Sequence, residues 1–117
     1  MSEFLTNTEI NQFKKDGAIF VKGKFGLDWI EKLKKGIDKD IKNPSPRFKS
    51  HTIKNGIPAY LEDYWTWDLV SEFKDFVFNS PYAKIASELM SAKKINLVMD
   101  NWFLREGGSK STAPFHH

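Results

Sequence analysis

Apolar residues in the first ninety positions recur mainly three and four apart, and from Ile95 onward they shift to alternation. Leu5-Thr6-Asn7-Thr8-Glu9-Ile10 predicts a helix start, with Thr6 as N-cap, Glu9 closing a capping box, and Leu5 and Ile10 as a hydrophobic staple. This helix runs to Lys15, burying Ile10 and Phe13, and Gly17 supplies its left-handed stop. Ala18 to Lys22 reads as a short strand. Asp28 and Glu31 repeat the capping-box spacing and open a second helix to about Lys42, with Ile30, Leu33, Ile37 and Ile41 as its apolar stripe. Asn43-Pro44-Ser45-Pro46 ends it.

From Arg47 to Tyr64 the pattern is broken by Gly56 and Pro58, which predicts loop with one or two short strands. A third helix follows over Asp68 to Asn79, with Leu69, Phe73, Phe76 and Val77 inward. Ser80 caps a fourth helix that has Pro81 at its first position, Tyr82, Ile85 and Leu89 on its apolar face, and Met90 filling the core. Lys94 to Glu106 is a strand: a continuous run, Ile95 to Met99, then Trp102 and Leu104 on one side against Phe103 and Arg105 on the other. Gly107-Gly108 turns the chain, and a second extended piece begins at Pro114.

Composition narrows the class. A chain of 117 residues is one domain, 1–117, and buries roughly two thirds of its unfolded surface, with ten Phe and four Trp as core material. Cysteine is absent, which removes disulfides and thiolate metal sites and points to a reducing cytoplasm. No run approaches the ~18 apolar residues of a membrane span. The net charge is +3, but Lys14, Lys15, Lys32, Lys34, Lys35, Lys39 and Lys42 are interleaved with the acids Asp28, Glu31, Asp38 and Asp40. That is a solvated helix face, not a phosphate-binding stripe, so neither nucleic acid nor membrane is an expected partner.

Candidate chemistry gathers at the C-terminal end. His116 and His117 follow a turn and can offer imidazole nitrogens to a metal, yet a site needs about three ligands. The only other nearby candidates are Asp100 and His51, which leaves the metal reading incomplete from residues alone. His51, in a loop, reads as a surface residue, and Tyr60, Tyr64, Trp65 and Trp67 as pocket-mouth aromatics or as cement between helices and sheet, the latter preferred for the two tryptophans.

The run Asp100-Asn101-Trp102-Phe103-Leu104-Arg105-Glu106-Gly107-Gly108, a Ser/Thr-rich link and Thr112-Ala113-Pro114-Phe115-His116-His117 resembles the core motif of the phytanoyl-CoA dioxygenase family. The opening helix with Asp16-Gly17-Ala18-Ile19-Phe20-Val21, the Trp65-Thr66-Trp67 triplet and Asn79 to Met90 are similar to that family in the same order. The resemblance implies an α+β fold in which N-terminal helices pack on the first strands of a double-stranded β-helix (jelly roll), here truncated. It implies an Fe(II)- and 2-oxoglutarate-dependent dioxygenase acting on a small-molecule or acyl substrate. His116 matches the first iron-binding histidine, while the matching aspartate would fall at position 118 and the distal histidine later. Gly107 and Phe115 depart from the family's usual Pro and Trp. With one ligand of three, the chain alone is expected to be inactive.

Arg105 matches the family's Lys/Arg, whose forked guanidinium suits a 2-oxoglutarate carboxylate. It reads equally as a solvated strand arginine paired with Glu106 or Asp100, and Asp100 itself reads as structural. The alternative for the whole chain is a non-catalytic module that associates, as a homo-oligomer or strand-swapped dimer, through exposed strand edges.

Overall fold

A computed structural model describes residues 4–52 and 59–114. The chain forms α1 (Asn7–Asp16), α2 (Leu27–Lys42), β1 (Lys49–Ser50), β2 (Tyr60–Tyr64), α3 (Ser71–Asn79), α4 (Tyr82–Met90) and β3 (Asn101–Arg105). The three strands make one antiparallel sheet in the order β1-β2-β3. The architecture is therefore α+β, four helices with a small antiparallel sheet.

The first helix forms as its sequence predicts. Thr6 accepts from the Glu9 N–H at 3.2 Å while the Glu9 carboxylate accepts from the Thr6 N–H at 2.7 Å, and Gly17 closes the other end at φ 74°. None of the residues of α1 is buried. Its anchor lies just before it: Leu5 is buried, and the Glu88 carboxylate of α4 accepts from the N–H groups of Phe4 (3.1 Å) and Leu5 (2.8 Å). Lys24 ties the following loop back by donating to the Phe4 carbonyl at 2.8 Å.

Several sequence expectations are corrected. Ala18 to Lys22 joins no sheet: Ile19 and Val21 are half-buried and Phe20 is exposed, an alternation that arises without a ladder. The N-cap of α2 is Gly26, with no side-chain cap; the helix begins at Leu27, which carries Glu31 past the capping position, and its carboxylate pairs with Lys34 at 2.7 Å. The chain turns on the Thr66 carbonyl, which accepts from Leu69 and Val70, before α3 begins at Ser71, and this turn leaves Leu69 exposed. Ile30 and Met90 are exposed as well, so Met90 fills no core gap.

The core joins the helices to the sheet. Val70, Phe73 and Trp102 are buried together, with Leu33, Ile37 and Ile41 of α2 and Leu61, Leu104, Phe48 and Trp67 packed around them. Close approach of α2 and α3 depends on Gly36: a Cβ there would lie 2.5 Å from Phe73 Cε1 and 2.9 Å from Cδ1. Lys32 with Asp75 and Lys39 with Glu72 clasp the same two helices, and these lysines hold both carboxyls below their ordinary range.

Where the helices meet the sheet the core is polar. Asp40, Asp63 and Thr66 are almost wholly buried. Asp40 accepts from Trp102 Nε1 at 2.9 Å; Asp63 accepts from the Ser45 N–H (3.0 Å) and hydroxyl (2.6 Å) and shares a hydrogen bond with Asp40. Burial, opposed by the indole bond and reinforced by the Asp63 charge, pushes the Asp40 carboxyl up from 3.8 to about 6. Beside them Asp100 accepts from the Thr66 N–H and hydroxyl, both at 2.9 Å, which is the structural role its position in the sequence suggested. Trp65, next in the corner, holds φ at 55°, and Arg47 secures it by donating to the carbonyls of Tyr64 (2.8 Å) and Trp65 (2.7 Å).

Candidate functional site

The ladder of β2 and β3 sorts side chains by face. Tyr60 pairs with Arg105, Glu62 with Phe103 and Tyr64 with Asn101, while Leu61 pairs with Leu104 and Asp63 with Trp102. Because side chains alternate across a strand, Leu61, Asp63, Trp102 and Leu104 turn to the helices and the other set turns to the opposite face. On that opposite face, Phe103 and Arg105 are exposed.

A cleft of about 700 Å³ opens there, lined by His51, Tyr60, Glu62 and Phe103 of the sheet and by the segment Ser111 to Pro114 that passes over it. The Ser111 hydroxyl donates to the His51 carbonyl at 3.0 Å, which pins this segment to the sheet. His51 Nε2 lies 3.3 Å from Glu62 Oε1, and its ring stacks on Tyr60 with centroids 4.8 Å apart. Sequence reasoning offers Tyr60 for a pocket mouth and leaves His51 on the surface, where it is exposed, but does not bring the two together. The pairing that joins them, His51 N–H to the Tyr60 carbonyl at 2.8 Å, has a register that no local pattern announces.

Arg105 belongs to the same face. Its guanidinium carbon stands 6.0 Å from the Tyr60 ring centroid, and one Nη donates to the Ser109 carbonyl at 3.2 Å. Neither structural partner suggested by the sequence is used, since Asp100 is taken by Thr66 and the Glu106 carboxylate accepts from the Ala59 N–H at 2.6 Å. His116, the candidate iron ligand, and His117 lie outside the described residues. Among the described residues no three His, Cys, Asp or Glu side chains converge on a metal position, so the described part does not by itself build an iron site.

A second cavity, about 310 Å³, lies on the helix side between Leu33, Ile37, Phe73, Phe76, Tyr82 and the Leu97 to Trp102 stretch. It is almost wholly apolar and carries no reactive group beyond Asp100, whose carboxylate is already occupied.

What these features define is a class of architecture: an antiparallel sheet backed by helices on one face, with a cleft carrying a His–Glu pair on the other and Arg105 on that same face. Compared with known proteins, the chain matches no family model, no curated protein and no solved structure.

Proposed function

We propose that this chain is the N-terminal part of an Fe(II)- and 2-oxoglutarate-dependent dioxygenase resembling the phytanoyl-CoA dioxygenases, acting on a small-molecule or acyl substrate in the cytoplasm. The observation that carries the reading is the two-sidedness of the sheet. Helices back one face, and the motif residue Arg105 stands on the other, beside Tyr60, which lines a cleft together with the segment Ser111 to Pro114. A jelly roll uses its sheets in that way, one face outward and one toward the cavity.

In this reading iron and 2-oxoglutarate supply the oxidising chemistry, and the residues here supply position. Arg105 offers a forked donor to a carboxylate, Phe103 and Tyr60 form an apolar wall, and the Ser111–His51 bond holds the segment Ser111 to Pro114 against the sheet. A single histidine does not make a three-ligand site, so the 117 residues are inactive alone.

The test begins with the coding sequence beyond His117. An aspartate at the next position, with a later histidine and arginine, is expected. The protein so extended should bind 2-oxoglutarate in the presence of Fe(II), and Arg105→Ala should weaken that binding on the order of 10- to 100-fold, as loss of a charge-assisted hydrogen-bonded pair does. An extended protein that binds 2-oxoglutarate equally well with and without Arg105 would overturn the assignment of that residue, and a different residue at the next position would overturn the enzyme reading.

A second reading, self-association through a strand edge, is favoured by a separate observation: among the described residues β3 is an edge strand, paired on one side only. It predicts a dimer of the 117-residue chain.

A further inference from the structure

The lysines of α2 that stand among acids in the sequence are largely neutralised in the fold: Lys32, Lys34 and Lys39 each meet a carboxylate. The cations on the open side of the sheet are treated differently. Among the described residues, no carboxylate lies within ion-pair distance of Arg47, Lys49 or Arg105. Each is held against an aromatic ring instead. Arg47 Cζ stands 5.8 Å from the Trp65 ring centroid, Lys49 Nζ 5.7 Å from that of Tyr64, and Arg105 Cζ 6.0 Å from that of Tyr60.

Strand pairing gathers these groups on one face. Lys49 lies opposite Glu62, and Glu62 opposite Phe103; Tyr60 lies opposite Arg105. Residues directly opposite share a face, as do residues two apart along a strand, so successive rows of this face are about 7 Å apart, twice the rise of a residue. Glu62 is the acid within these rows, and it lies 3.3 Å from His51 Nε2. Arg47, Lys49 and Arg105 against that single carboxylate leave the face complementary to an anion.

Trp65 is a separate sign of a ligand surface. Its φ of 55° is costly for a bulky residue, and hydrogen bonds impose it: its N–H donates to the Asp100 carbonyl at 3.0 Å, and Arg47 donates to the carbonyls of Tyr64 (2.8 Å) and Trp65 (2.7 Å). A guanidinium has five N–H donors, so Arg47 keeps others for a ligand. The indole presented at this cost is 49% exposed, and Phe103 on the same side of the sheet is 57% exposed.

We propose that this face binds single-stranded nucleic acid, with bases stacked on Trp65 and Phe103 and phosphates on Arg47, Lys49 and Arg105. An anion without rings would leave the exposed aromatics unused, and an apolar ligand would leave the cations unpaired. A single strand offers planar groups and charges in alternation. Its bases, about 3.4 Å apart when stacked, can splay to about twice that, the spacing of the rows. A duplex keeps its base faces covered. Such a site is independent of the dioxygenase reading, since it needs no metal and no residue beyond His117.

The test is fluorescence anisotropy of a labelled single-stranded oligonucleotide of about 12 nucleotides titrated with the protein. A dissociation constant of about 1–100 µM is expected near 0.1 M salt, with a log–log salt slope of about −2 from three phosphate contacts. Trp65→Gly, which tolerates the left-handed backbone and removes the indole, should weaken binding about tenfold, and Phe103→Ala should do the same. Lys49→Glu should weaken it and make the slope shallower by about 0.7. Lys49 and Phe103 are exposed, so their variants keep the fold whatever Trp65→Gly does. An abasic strand of equal length, which retains the phosphates, should bind at least about tenfold more weakly. No anisotropy change up to ~1 mM protein would overturn the proposal. So would an abasic strand or a duplex bound as tightly as the oligonucleotide, affinity unchanged in both ring variants, or a preference for anionic lipid vesicles.

Discussion

Replacing Asp40 by asparagine should change how stability depends on pH and little else. The side chain is 2% exposed, its carboxyl titrates near 6 instead of 3.8, and its partners are one indole donor and one carboxylate. A group whose pKa is raised by folding binds its proton more tightly in the native state. Its contribution is complete below about 4, declines as pH rises to about 6, and is then lost. The interval of about two pH units corresponds to about 3 kcal/mol, at about 1.4 kcal/mol per unit. An asparagine keeps the shape, accepts from Trp102 through its oxygen and donates to Asp63 through its amide, at every pH. The assay is urea unfolding followed by tryptophan fluorescence between pH 4 and 7.5, for wild type and Asp40→Asn. Subtracting the two curves removes the opposite slope of carboxyls such as Glu72 and Asp75, whose lowered values make them lose stability as pH falls. The difference should be near zero at pH 4 and favour the variant by about 3 kcal/mol above pH 6.5. A difference that stays flat over this range, or a variant less stable at pH 7, would refute the claim that an ionisable buried carboxyl strains the junction.

Two further substitutions test the packing. Gly36→Ala replaces a poor helix former by the best, which normally adds about 1 kcal/mol, but the methyl would strike the Phe73 ring. A net loss of about 1–3 kcal/mol is expected in thermal or urea unfolding, and a gain would show that α2 and α3 separate easily. Asp100→Ala strips the partner from the buried Thr66 hydroxyl and N–H and should cost about 2–4 kcal/mol; Thr66→Val on top of it should add little, and additive losses would mean the two residues do not act as a pair.

Much of the helical part is legible in the sequence because its signals are local. The Thr6–Glu9 box and the Gly17 stop each act within four residues, whereas the N-cap of α4 is Pro81 and not the expected Ser80, which closes α3 instead. The face assignment of β3 is legible too, since alternation survives in Trp102 and Leu104 turned to the helices and Phe103 and Arg105 turned away. What escapes is set by distant partners. Ala18 to Lys22 alternates like a strand but finds no ladder, and Leu69 fits a helical stripe but is carried outward by the turn on Thr66. The buried acids escape for the same reason. Asp40 has the pattern of one more charge on a solvated helix face, yet Trp102, sixty-two positions later, draws it inside. The His51–Glu62 pair likewise exists only once β1 and β2 register.

The alternation of β2 and β3 also separates what selection can change from what it must keep. Leu61, Asp63, Trp102 and Leu104 are committed to the helical layer, and altering any of them disturbs the core. Glu62 and Phe103 stand one position away on the same strands, line the cleft, and carry little of the packing. A cleft built in this way can change its size, charge or preference by single exchanges at alternate positions while the scaffold behind it stays constant. Diversity among sequences sharing this architecture should therefore appear as a two-residue rhythm along the strands, variable toward the cleft and restrained toward the helices.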